Sequence, residues 1–275
     1  MDSEGAKVVL VTGASSGIGK EIARKSLKDG YRVYGAARRI VRMKDLEEPG
    51  ATVMRMDITK EEDILGVVER IKSEAGGVDI LVNNAGFGSY GAMEDTNPED
   101  ARYQFEVNLF GPARLTQLLL PGMRQKRFGK IINISSMAGK TYMPLGSWYH
   151  ASKYALEGWS DCLRLELAPF GIDVIIIEPG IIATEFGDVF RGPLLKRSGN
   201  SAYAYVANSF AAAAENSYKE GNGSPPSVIA DVVSKAIKAK KPKPRYAAGK
   251  FARPLIFMHK WLGDRVYDKM VRRAI

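Results

Sequence analysis

The chain has 275 residues, of which 45% are hydrophobic and 26% are charged, with one cysteine and a formal net charge of +9. These values are typical of a globular protein, and a single cysteine, Cys162, excludes an intramolecular disulfide. The two histidines, His150 and His259, lie far apart, so the sequence predicts no metal site. Residues 1–5 do not resemble a signal peptide, and no apolar run reaches the roughly 18 residues that span a membrane. We therefore expect a cytoplasmic protein.

The positive charge is concentrated at one end of the chain. Residues 235–275 contain 13 Lys and Arg against 2 acidic residues, whereas the remainder contains 27 Lys and Arg against 29 acidic residues. The body of the protein is therefore almost neutral. The sequence also lacks a basic and aromatic motif that reads nucleic acid, so no nucleic-acid partner is predicted.

Apolar β-rich runs alternate with longer amphipathic runs along the chain. The predicted strands are residues 7–12, 31–37, 51–56, 79–83, 130–134, 172–177 and 245–248. The predicted helices are residues 17–28, 60–74, 98–126, 148–170, 201–219, 227–238 and 254–273. This alternation predicts right-handed crossovers and a doubly wound parallel sheet in a three-layer α/β/α domain that includes the whole chain, residues 1–275. We expect Cys162 to be a packing residue of the helix 148–170.

Residues 181–226 interrupt the regular alternation with several glycines and prolines. This segment is predicted to be an insertion that covers one edge of the sheet as a substrate lid. Residues 250–275 are predicted to form a basic amphipathic helix. The sequence favours packing of this helix on the domain, but peripheral contact with a membrane surface remains an alternative.

The first strand runs into a glycine-rich turn, Gly13-Ala14-Ser15-Ser16-Gly17-Ile18-Gly19, and then into a helix. Glycines permit a tight turn and let a pyrophosphate approach the backbone. The N-terminus of the following helix offers unpaired N–H groups and a positive dipole end to that anion. The turn therefore predicts a dinucleotide-binding site.

Two arginines, Arg38 and Arg39, follow the second strand, where an NAD-binding protein has a carboxylate for the ribose hydroxyl. Arginines suit a ribose 2′-phosphate instead, so the sequence predicts NADP. Further cofactor contacts are predicted at strand ends, where ligands of parallel sheets collect. They are Asp57, Ile58, Asn84, Ala85, Gly86, Pro179, Gly180, Ile182 and Thr184.

Tyr149 and Lys153 are four residues apart on a predicted helix and therefore share one face. A neighbouring cation favours the phenolate and is expected to lower the pKa of the tyrosine, which prepares it to exchange a proton with an alcohol or carbonyl oxygen. Ser136 follows the fifth strand and is placed to hydrogen-bond the reacting oxygen, or else to cap a turn. Asn108 lies in an apolar helix, where its amide needs backbone partners or a water chain that leads to Lys153.

In this order and spacing, these motifs resemble the short-chain dehydrogenase/reductases with a single Rossmann domain, over residues 7–250. The resemblance implies that Tyr149 is the general acid and base and that Ser136 orients the substrate. It also implies that Lys153 binds the nicotinamide ribose and that Asn108 holds a relay water. Such an enzyme would interconvert a carbonyl and an alcohol with NADPH. The alternative is an NADP-binding regulatory or structural protein without catalysis.

The region around residues 245–273 more weakly resembles the 17β-hydroxysteroid dehydrogenase-like members, which act on steroids, retinoids and lipid-like ketones. Apolar residues near the predicted site favour a bulky apolar substrate. They are Met137, Met143, Leu145, Trp148, Phe186, Val189 and Phe190, with Met143 and Phe186 taken as substrate contacts beside Ser136 and Tyr149. By analogy with the family, the two long helices predict a homodimer or homotetramer.

Overall fold

A computed structural model describes residues 5–218 and 221–273 of the chain. Seven parallel strands form one sheet in the order β3-β2-β1-β4-β5-β6-β7. The strands are β1 (Val8–Thr12), β2 (Arg32–Ala37), β3 (Thr52–Arg55), β4 (Ile80–Asn83), β5 (Gly129–Ile134), β6 (Ile172–Pro179) and β7 (Arg245–Ala248). The doubly wound parallel sheet predicted from the sequence is therefore confirmed.

Helices cover both faces of this sheet. They are α1 (Gly17–Lys28), α2 (Glu61–Ala75), α3 (Pro98–Phe105), α4 (Gly111–Lys126), α5 (Ser147–Leu167), α6 (Phe186–Ser198), α7 (Ala204–Tyr218), α8 (Ser227–Lys238), α9 (Ala252–Leu262) and α10 (Asp264–Arg273). Helices α1 and α8 pack on one face, and α2, α4 and α5 pack on the other. The result is a three-layer α/β/α arrangement.

The apolar strand sequences are explained by burial on both faces. Successive side chains of a strand point to opposite faces, so Val9 and Val11 pack against α1 and α8. Val8 and Leu10 enter the core on the other face. A strand in the middle of such a sheet needs apolar residues at every position, which is why β1 has no polar alternation.

The structure corrects three predicted elements. The predicted helix 98–126 is interrupted by a π-helical segment, Glu106–Phe110. The predicted C-terminal helix is two helices, α9 and α10, because Gly263 between them has a φ of 72°, outside the helical range. Cys162 is exposed on α5 rather than packed.

Residues 181–226, predicted to be an insertion over the sheet edge, contain two helices. The sequence predicted one of them as residues 201–219, whereas α7 begins at Ala204 and is described as far as Tyr218. Lys219 lies outside the described residues, as do residues 1–4 and 274–275. Glycines and prolines are atypical of a helix, so α6 was not predicted from the sequence. Among the described residues, no helix has the length and apolar character needed to cross a membrane.

Candidate active site

The carboxyl ends of β1, β4, β5 and β6 bring the predicted motifs to one edge of the sheet. The strand order reverses between β1 and β4, and in doubly wound sheets such a switch point creates a crevice for ligands. The glycine turn follows β1, and Asn84 follows β4. Ser136 follows β5, and Gly180 follows β6.

The glycine turn fits closely against the loop after β4. Gly13 has a φ of 67°, and a Cβ atom there would lie 2.9 Å from the Ala85 Cα atom. A Cβ atom at Gly19 would lie 2.3 Å from the Asn84 Nδ2 atom. Asn84 Nδ2 also donates a hydrogen bond of 2.9 Å to the Thr12 carbonyl oxygen. The turn is therefore packed tightly on that loop and lines the cleft at the start of α1, an arrangement that suits a pyrophosphate.

A cleft of about 360 Å³ runs along this edge. All of the predicted cofactor residues line it, from the glycine turn through Arg38, Arg39, Asp57 and Ile58 to Tyr149 and Lys153. Asn84, Ala85, Gly86, Pro179, Gly180, Ile182 and Thr184 line it as well. The residues present thus fit an elongated dinucleotide.

The two arginines after β2 line the same cleft as Tyr149. Arg39 donates a hydrogen bond of 2.8 Å to Ser16 Oγ, beside the start of α1. Arg39 also forms an ion pair of 3.2 Å with Glu185. Arg38 donates a hydrogen bond of 3.1 Å to the Tyr103 phenol oxygen. The region is strongly cationic at its rim, and Glu185 is a counter-charge that the sequence did not indicate.

Tyr149, Lys153 and Ser136 converge on the cleft from α5 and from the end of β5. Lys153 Nζ donates a hydrogen bond of 2.8 Å to the Ile134 carbonyl oxygen, which fixes the ammonium at the sheet edge. Ser136 Oγ accepts a bond of 3.1 Å from the Ala138 N–H and caps a short 3₁₀ turn. The structure thus shows the turn-capping role of Ser136, and its contact with the reacting oxygen stays a prediction.

Burial controls the ionisation of these groups. Burial raises the pKa of Tyr149 to about 12, although the hydrogen bond with Ser136 acts in the opposite direction. Burial lowers the pKa of Lys153 to about 8, partly opposed by the carboxylate of Glu157. The sequence predicted a lowered tyrosine pKa. The structure gives the opposite direction, because loss of water destabilises the phenolate more than its surroundings stabilise it.

Asn108 lies in the π-helical segment and not on the wall of the cleft. Its Nδ2 atom donates hydrogen bonds of 3.0 Å to the Phe87 carbonyl oxygen and of 3.0 Å to Ser152 Oγ. Its Oδ1 atom accepts a hydrogen bond of 3.1 Å from the Phe87 N–H. Pro112 has no N–H, so the α-helical bond to the Asn108 carbonyl cannot form. The side chain of Asn108 therefore clamps the loop after β4, while its carbonyl lacks the usual helical donor.

Aromatic side chains surround the reacting end of the cleft. The Tyr149 ring lies 5.6 Å from the Phe186 ring and 5.5 Å from the Tyr90 ring, measured between centroids. Phe186, Val189 and Tyr218 come from α6 and α7 and line the cleft. Met143 is half-buried and does not line it, and Phe190 lies in the core behind Phe186.

Sequence reasoning missed several residues of the cleft wall. They are Phe87, Tyr103, Val107, Glu185 and Tyr218. Phe87 directly follows the Asn84–Gly86 motif, so its position in the sequence could have indicated that it lines the cleft. Nothing in the alanine-rich sequence of α7 marks Tyr218.

Comparison with known proteins identifies close relatives of this arrangement. A family model described as short chain dehydrogenase matches residues 7–191. A 3-ketodihydrosphingosine reductase of Bacteroides thetaiotaomicron is 37% identical over 270 residues, which is 97% of each chain. A short-chain dehydrogenase from Streptomyces avermitilis has 37% identity and a TM-score of 0.83, with 98% of this chain and 96% of that chain covered.

An actinorhodin polyketide ketoreductase with NADPH has 30% identity and a TM-score of 0.75 over 90% of this chain and 97% of that chain. Other solved chains of similar fold contain either NADP or a form of NAD.

Proposed function

The chain belongs to the short-chain dehydrogenase family, and from this premise we propose that it is an NADP(H)-dependent reductase of bulky, lipid-like ketones. Membership makes it a dehydrogenase/reductase that interconverts carbonyl and alcohol groups. The regulatory alternative is therefore left without support. The observation that carries the proposal is the convergence of Tyr149, Lys153 and Ser136 at the aromatic end of a cleft that begins at a glycine turn.

When bound, a nicotinamide dinucleotide supplies or accepts the hydride. In the reductive direction, the Tyr149 phenol donates its proton to the carbonyl oxygen. Because its pKa is about 12, the phenol remains protonated throughout the neutral range and is available as an acid. Ser136, which lines the same cleft as that phenol, orients the same oxygen.

Lys153 provides positive charge beside the phenol. As a phenolate develops on Tyr149, the Lys153 ammonium stabilises it. The attraction between these two charges is stronger in a buried site than in water. The Asn108 carbonyl is the group we assign to a relay water, because Pro112 leaves it without its α-helical donor. These roles follow the family resemblance and the contacts described above.

The arginines at the rim of the cleft favour NADP over NAD. Arg39 sits next to Ser16 at the start of α1, and guanidinium groups bind phosphate in bidentate fashion. The ketoreductase with NADPH supports the same choice.

The aromatic lining favours an apolar substrate. Phe186, Val189 and Tyr218 belong to the segment 181–226, which we propose acts as the substrate lid. The B. thetaiotaomicron relative is a 3-ketodihydrosphingosine reductase, and its similarity extends over nearly the whole chain. We therefore favour lipid-like ketones over steroids and retinoids.

Tyr149→Phe tests the catalytic assignment. This variant removes the donated proton and leaves the ring, so we expect turnover to be abolished while NADPH still binds, as measured by nucleotide fluorescence. Tyr154→Phe, a change on the exposed side of the same helix, is the matched control and should retain full activity. Undiminished turnover by Tyr149→Phe would refute the mechanism.

Peripheral contact with an anionic membrane is a second proposal and rests on the exposed side of α9. Phe257 and Trp261 are 62% and 65% exposed, and the exposed cations Arg253 and Lys260 belong to the same helix. Aromatic and basic residues together suit the interface of an anionic bilayer. Flotation with phosphatidylserine vesicles at low salt tests this idea, and absence of binding would remove it.

Two predictions from the sequence are kept as part of the proposal. Exposed apolar residues on α5, including Leu165 at 70%, favour a homodimer or homotetramer, which light scattering would measure. A cytoplasmic location remains a prediction.

A further inference from the structure

Tyr218 is a second phenol at the reacting end of the cleft. It belongs to α7, and it lines the cleft together with Tyr149 and Phe186. The Phe186 ring contacts both tyrosines, at 5.6 Å from the Tyr149 ring and 5.9 Å from the Tyr218 ring. A substrate that reaches Tyr149 therefore passes close to Tyr218.

The position of this ring is set by its packing. A Cβ atom at Gly187 would lie 2.7 Å from the Tyr218 Cβ atom and 2.9 Å from its Cγ atom. The glycine thus creates the space in which Tyr218 lies against α6. The Phe190 ring meets the Tyr218 ring edge-on at 5.8 Å. With contacts on both sides, the ring has a defined orientation in the folded lid.

The phenol oxygen of Tyr218 has no protein partner among the described residues, 5–218 and 221–273. Buried or half-buried phenols normally bond to a polar group. Burial raises the pKa of Tyr218, and the neighbouring Tyr149 raises it further. The phenol is therefore neutral at any ordinary pH, and it is suited to hydrogen bonding rather than to proton transfer.

We propose that Tyr218 recognises a second polar group of the substrate, adjacent to the carbonyl that Tyr149 protonates. The preferred substrate is then a ketone with a hydroxyl, amino or second carbonyl group beside the reacting centre and with an apolar remainder against Phe186 and Val189. This inference rests on the proposed function, because it assumes that the carbonyl reacts at Tyr149. It adds that the segment 181–226 recognises the substrate by hydrogen bonding as well as by apolar contact.

The test uses two substrates with the full-length enzyme and NADPH. One is a long-chain methyl ketone, and the other is the same ketone with a hydroxyl on the adjacent carbon. The measured quantity is the ratio of kcat/KM for the hydroxyketone to that for the plain ketone. In Tyr218→Phe we expect this ratio to fall about tenfold, as for a lost hydrogen bond to a substrate group.

Tyr205→Phe is the matched control, because Tyr205 lies on the same helix and is 79% exposed. Its ratio should equal that of the wild type. A general loss of folding lowers both rates and leaves the ratio unaltered, so an unchanged ratio in Tyr218→Phe overturns the proposal. An equal fall in Tyr205→Phe overturns it too. If the wild type reduces neither ketone, the proposed function itself fails, which is a distinguishable result.

Discussion

Replacement of Arg39 by alanine should change the choice of nucleotide. Arg39 lies at the rim of the cleft, where it contacts Ser16 and Glu185. We expect the Arg39→Ala enzyme to lose affinity for NADPH and to keep its activity with NADH, because only NADPH carries a 2′-phosphate on the adenosine ribose.

The expected magnitude follows from the exposure of this side chain. A hydrogen bond to a charged group contributes about 1.5–3 kcal/mol, but the Arg39 side chain is 48% exposed, and solvent screens the interaction. The phosphate must also replace the existing pairing with Glu185. The expected loss of binding free energy therefore lies near the lower end of this range. A loss of about 1.4 kcal/mol corresponds to about a tenfold fall in kcat/KM for NADPH.

The assay follows nucleotide absorbance at a fixed ketone concentration, with NADPH and NADH varied in turn. Arg102→Ala is the matched control, because Arg102 is an exposed arginine on α3 outside the cleft. If Arg39→Ala lowers kcat/KM equally for both nucleotides, or for neither, the assignment of Arg39 to a 2′-phosphate is wrong.

Three further predictions concern the lid, the turn and pH. Glu185→Gln removes a carboxylate that pairs with the arginines of the rim, so the KM for NADPH should fall severalfold, and an increase would contradict this role. Gly19→Ala places a Cβ atom 2.3 Å from Asn84 Nδ2, so we expect a loss of about 1–3 kcal/mol of stability. The control Gly66→Ala, at an open helical site, should leave the melting temperature unchanged or raise it. Ketone reduction should decline as pH rises through about 8, where Lys153 loses its proton, while the phenol stays protonated. The same pKa lies below that of an unfolded lysine, so stability should increase with pH between about 8 and 10.5. A rate profile that stays flat to pH 10 would contradict the lysine assignment.

The order of elements and most of the cleft wall were predictable from the sequence. Parallel strands end at a common edge, so polar and glycine-rich segments that follow predicted strands must meet there. This rule brought Gly13, Asn84, Ser136 and Gly180 together, although they are far apart in the chain. Helical spacing alone placed Tyr149 and Lys153 on one face of α5.

Contacts between distant segments were not predictable in the same way. Glu185 pairs with Arg39, which lies 146 residues away in the chain, and Tyr218 reaches the cleft from α7, in which six of the 15 residues are alanine. Met143 looked like a substrate contact from its proximity to Tyr149 in the sequence, but it does not line the cleft. Glu185 and Tyr218 both belong to the segment 181–226, so their contacts depend on tertiary packing rather than on the neighbouring sequence.

The sequence by itself determined the sheet, the family and the candidates for the reacting groups, because strand periodicity, glycine spacing and helical spacing are local properties. Only the tertiary structure decided the environment of those groups. The helical spacing predicted that Lys153 lowers the pKa of Tyr149, whereas burial raises that pKa to about 12 and lowers the pKa of Lys153 to about 8. The physical reason is that desolvation depends on every segment packed around a group, and those segments are brought there by the fold rather than by the neighbouring sequence.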